Sequence, residues 1–91
     1  MDATNALADR AVEIATWAAR DYLRAHKPAA DQSPALPAAI VAEVQAAVPE
    51  ALADAKEALS LGMGQYAVAT FGASMRLAGI RAGKTVLLLL S

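Results

Sequence analysis

Residues Ala58–Phe71 read ALSLGMGQYAVATF, and the Gly62-Met63-Gly64 triplet at their centre separates two apolar patterns of helical spacing. Before the glycines, Leu52, Ala55, Ala58 and Leu59 recur at intervals of three and four, which predicts a helix over about 50–61. After them the pattern resumes and predicts a second helix over about 65–82. Glycine supplies the conformational freedom for a tight corner between the two.

Downstream of the corner the side chains become small. Ala69 and Ala73 lie four apart, and Gly72 and Gly79 seven apart, so one side of the 65–82 helix carries almost no bulk. A glycine in a helix interior costs about 1 kcal/mol relative to alanine. Gly72 is therefore expected to mark a close backbone approach, either within the chain or between chains. Gly83 is the expected C-cap. Beyond it, residues 84–91 form an apolar tail in which Val86, Leu87, Leu88, Leu89 and Leu90 are consecutive. That run either continues the helix or lies as an extended plug, since it is poorly placed in water.

Upstream, Leu36, Ile40, Val44 and Val48 stand at strict fours. Pro49 removes a backbone donor and disfavours helix at the residue before it, so a break is expected there, with helices over about 37–48 and 50–61. Residues 28–36 form the linker. Ser33 followed by Pro34 reads as an N-cap with proline at the first helical position, and Pro37 fits the same first turn. The first helix is expected over about 5–26, on a stripe of Leu7, Ala11, Ile14, Ala18, Tyr22 and Ala25. Thr4 or Asn5 can cap its start, His26 and Lys27 suit its negative end, and Pro28 stops it. The fold class is all-α: one domain over 1–91, a bundle of three to four helices with an apolar C-terminal tail.

Of 52 apolar residues in the 91, 25 are alanine, so the core is thinner than the apolar fraction suggests. A domain this small is marginal alone and commonly recruits a second copy or a partner. The absence of cysteine excludes disulfides and thiolate metal sites. Asp2, Asp9 and Glu13 come too early for a secretion signal, and Val86–Leu90 is far short of the ~20 apolar residues of a spanning helix. A cytoplasmic protein with no transmembrane segment is the expectation. Charge is uneven: Asp31, Glu43, Glu50, Asp54 and Glu57 face one base, Lys56, in 28–62, whereas 63–91 holds Arg76, Arg81 and Lys84 and no acid. Attraction between these halves, inside a chain or head to tail, follows.

Two segments invite a chemical reading. Ala78–Thr85 fits a relaxed P-loop spacing, but a phosphate cradle needs a strand before it and a helix after it. Here a helix precedes and only six residues follow. Ala58, Gly62, Met63, Ala67 and Val68 occupy positions that resemble the helix-turn-helix of phage-repressor-like DNA-binding proteins, over about 14 residues. The resemblance implies that residues 50–60 are the first helix and 65–82 the recognition helix. That helix would present Gln65, Tyr66 and Thr70 to base edges, with no arginine before Arg76. Glu50, Asp54 and Glu57 would repel phosphate.

The single histidine, His26, has no second histidine to share a metal, and the pairs Asp9–Glu13 and Glu50–Asp54 read as solvating charges. No nucleophile–base arrangement exists. The expected function is therefore non-catalytic, without cofactor or metal: an assembly or adaptor protein that forms a homo-oligomer or docks onto a protein partner. Candidate interface residues are Trp17, Ala69, Gly72, Ala73, Arg76, Gly79, Val86, Leu87, Leu88, Leu89 and Leu90. The alternatives are a small DNA-binding regulator and a membrane-active basic amphipathic segment over 65–91.

Overall fold

Ala11, Ala15, Ala19 and Leu23 recur every four residues and are all buried, so the first helix presents a nearly flat ridge to the core. The computed structural model describes residues 3–91, with side chains from Ala6 onward. It places that ridge on α1 (Ala3–His26), followed by a short 3₁₀ helix (Pro28–Gln32), α2 (Leu36–Ser60) and α3 (Gly64–Leu90). The described residues contain no strand. The capping role expected of Thr4 or Asn5 concerns side chains outside the described residues. Arg24 Nε donates to Asp31 Oδ2 at 3.0 Å, which ties the 3₁₀ segment back to α1. Ser33 Oγ accepts from the Ala35 amide at 3.2 Å, and Pro37 lies in the first turn of α2.

Three helices form rather than four. Pro49 lies inside α2, which is continuous from Leu36 to Ser60. Proline leaves the Gln45 carbonyl without its helical donor, but Gln45 and Pro49 are both exposed, so water can serve that carbonyl. Ile40 and Val44 before the proline and Ala51 and Ala55 after it are buried on one stripe, and this shared packing holds the helix through the defect.

The corner after α2 follows from Gly62, whose φ is +75°. The Met63 amide donates to the Ala58 carbonyl at 2.9 Å and the Gly62 amide to the Leu59 carbonyl at 3.0 Å, a Schellman closure. The chain reverses there, so α3 runs antiparallel to α2 and parallel to α1. Ala15 meets Gly79, Tyr22 meets Gly83, and Lys27 Nζ reaches the Leu90 carbonyl at 3.4 Å.

Gly83 is accordingly not a C-cap. A Cβ there would lie 2.8 Å from Tyr22 Cδ1 and 3.4 Å from the Ala19 carbonyl oxygen. Its missing side chain admits α1, and α3 continues through it to Leu90. Residues 84–90 are thus the last two turns of a helix, pinned by fully buried Val86, and not a separate tail. The close approach expected at Gly72 lies instead at Gly79, where a Cβ would be driven into the Ala15 carbonyl; no described atom comes within 4 Å of a Cβ on Gly72. The bundle spans 45 × 20 × 18 Å.

Candidate functional site

Ten of the seventeen buried apolar residues are alanine, and the large ones number seven: Leu23, Leu36, Ile40, Val44, Phe71, Met75 and Val86. Among the described residues eleven large apolar side chains are exposed, more than the seven that are fully buried.

Some of these side chains line up. On α3, Tyr66, Leu77 and Leu88 are eleven residues apart and 58%, 53% and 77% exposed. Eleven residues make three helical turns to within about 20°. The three therefore stand in line, and Thr70, Ala73, Ile80 and Lys84 fill the same row at spacings of three and four. This row is distinct from the core-facing one of Ala67, Phe71, Met75, Ala78, Ala82 and Val86.

Beside the row, α2 supplies an acidic edge. Glu43, Ala46, Ala47, Glu50 and Asp54 from α2, with Ser74, Leu77 and Arg81 from α3, line a groove of about 270 Å³. A second groove of about 320 Å³ is lined by Asp54, Glu57, Leu61, Met63, Tyr66 and Thr70. Asp54 lines both, so the two make one trough along the α2–α3 pair. No described side chain of α1 lines it. Leu61 and Met63, 68% and 45% exposed, extend its apolar surface past the corner.

The expected interface residues divide. Ala69, Ala73 and Arg76 are exposed on α3, Leu88 belongs to its outer row, and Leu87 is half-buried against the core. Leu89 and Leu90 are exposed on the last turn. Gly79 and Val86 are buried inside the chain and cannot meet a partner, because α1 covers the first and the core the second. Gly72 is half-buried. Trp17 is 62% exposed on α1, away from the trough. Tyr66, Leu77 and the acidic edge of α2 lie outside the expected set, and their alignment with Leu88 stands out only once the opposite face of α3 is seen to fill the core.

Other features take ordinary roles. His26 donates through Nδ1 to the Tyr22 carbonyl at 2.8 Å and stacks on the Tyr22 ring at 4.1 Å. Among the described residues no three His, Asp or Glu side chains gather as a metal site. Ala78–Thr85 lies within α3 and forms no loop. The helix-turn-helix pattern buries the residue after its glycine and the apolar pair of its second helix. Here Ala67 is buried, but Met63 and Val68 are 45% and 57% exposed. The two helices also run side by side, with Glu43 and Arg81 on one groove, instead of crossing steeply.

A further groove of about 460 Å³ lies between α1, the linker and α2, with Val12, Val41, Arg20 and Asp31 on its walls. By length and composition α2 could cross a membrane, at a hydropathy of 1.3 over 18 residues, a test that alanine-rich core helices also pass. No family model matches the chain, and no curated protein or solved structure matches it.

Proposed function

We propose that this chain is a non-catalytic assembly or adaptor module that works by docking the α2–α3 trough onto a helical protein surface, either a second copy or another protein. One observation carries the reading: Tyr66, Leu77 and Leu88 form an exposed apolar row on the outside of a helix whose opposite row already fills the core. A helix apolar on two sides is suited to two neighbours beyond solvent. The acidic rim of Glu43, Glu50 and Asp54 argues for a protein surface over a nucleic-acid backbone.

The test is the mass of the full chain by light scattering, alone and with duplex DNA. A mass above the monomer in the absence of DNA supports docking between chains. A monomer that gains mass only with DNA, and loses it as salt is raised, would replace this reading with the regulator.

A further inference from the structure

Two copies can meet face to face on the trough in few ways, and charge separates them. Among the described residues the ion pairs are Arg10–Glu13, Arg24–Asp21 and Arg24–Asp31, and none joins α2 to α3. Yet α2 brings Glu43, Glu50 and Asp54 to the trough and α3 brings Arg81. A two-fold axis perpendicular to the helices would stack α2 on α2 and α3 on α3, which sets the acidic edges against each other and leaves Arg81 facing a helix without acids. A two-fold axis parallel to the helices lays α3 of each copy antiparallel along α2 of the other, acid against base twice over.

We infer that the occupant of the trough is a second copy of this chain, related by a two-fold axis parallel to the helices; this rests on the docking reading above. Rotation about such an axis preserves height along the bundle. Residues that share a level within one chain therefore meet across the interface: Arg81 of one copy approaches Glu43 of the other, and Leu77 settles over the alanines between Glu43 and Glu50. Ala46 and Ala47 supply a shallow seat for that leucine. The sole tryptophan, Trp17, stays outside this interface, because it lies on α1 and is not among the residues that line the trough.

Charge reversal tests the pairing. The variants are Arg81→Glu and the double change Glu43→Arg with Glu50→Arg, each checked for helicity by circular dichroism. If Arg81→Glu does not fold, Arg81→Gln replaces it, and weakened association without the mixed-complex test is then the expected result. Sedimentation velocity should show each variant alone dimerising at least ~10-fold more weakly than the parent, and an equimolar mixture restoring the dimer. Trp17 emission should be unchanged across the parent's monomer–dimer transition.

A parent that stays monomeric overturns the second copy as occupant and leaves docking to another protein standing. A dimer indifferent to these reversals overturns the parallel axis, and one whose formation shifts Trp17 emission overturns the trough as its interface. A dimer that Leu77→Glu fails to weaken overturns the docking reading itself.

Discussion

Replacing Gly79 with alanine should loosen the bundle, although the same change in an open helix would strengthen it. The added Cβ would sit 2.9 Å from both the carbonyl carbon and Cα of Ala15, and closer still to the Ala15 oxygen. Ordinary carbon–carbon contact is at ~3.5–4.0 Å, so α1 must retreat by up to ~1 Å. The obstacle is backbone, and no rotamer change relieves it. The retreat also loosens Ala11, Ala19, Ala78 and Ala82, which are packed at 0–1% exposure along the same contact. Overpacking of this kind costs about 1–3 kcal/mol, and the gain in helix propensity returns about 1 kcal/mol of it. Gly79→Ala should therefore lower stability by up to about 2 kcal/mol. At Gly72 nothing opposes the new methyl, and Gly72→Ala should raise stability by up to about 1 kcal/mol. Urea unfolding followed by far-ultraviolet circular dichroism measures both. Equal shifts of the same sign in the two variants would refute the close approach of α1 and α3 at Gly79.

Pro49→Ala restores an amide donor for the exposed Gln45 carbonyl, and it should stabilise the fold by about 2 kcal/mol, read as a higher urea midpoint. Asp31→Ala removes the 3.0 Å contact with Arg24, whose side chain is half in solvent, so the loss should stay within about 1 kcal/mol in the same assay. Deleting residues 88–91 removes exposed side chains and leaves buried Val86 in place. Thermal unfolding of a dilute sample should change little, while association at high concentration should weaken; an equally associated truncated chain would exclude the last turn from the docking surface.

Much of this fold is legible in the sequence because its punctuation is local. The linker from Pro28 and the Gly62 corner each act on their immediate neighbours and stand where the residues place them, whereas the expected Ser33 cap falls two residues short: Ala35 is the N-cap, α2 begins at Leu36, and Ser33 Oγ accepts from the Ala35 amide within the turn before it. Pro49 and Gly83 mislead for the opposite reason. Their local preference for ending a helix is outweighed by packing contributed from distant segments: the buried α2 stripe in one case, Ala19 and Tyr22 in the other. The choice among Gly72, Gly79 and Gly83 likewise depends on where α1 crosses α3, which no spacing within α3 reveals. The docking surface is half legible. Leu88 stands out within an apolar run, but Tyr66 and Leu77 are isolated among small and polar neighbours. They join the row only once the other face of α3 is known to be occupied by the core.

Leu77 lies at the middle of that row, 53% exposed and on the wall of the trough. Sedimentation equilibrium of Leu77→Glu against the parent, with helicity checked on both, is the most direct measurement. The account expects a parent heavier than the monomer and a Leu77→Glu variant that is equally helical and monomeric. A variant as helical and as heavy as the parent would contradict it.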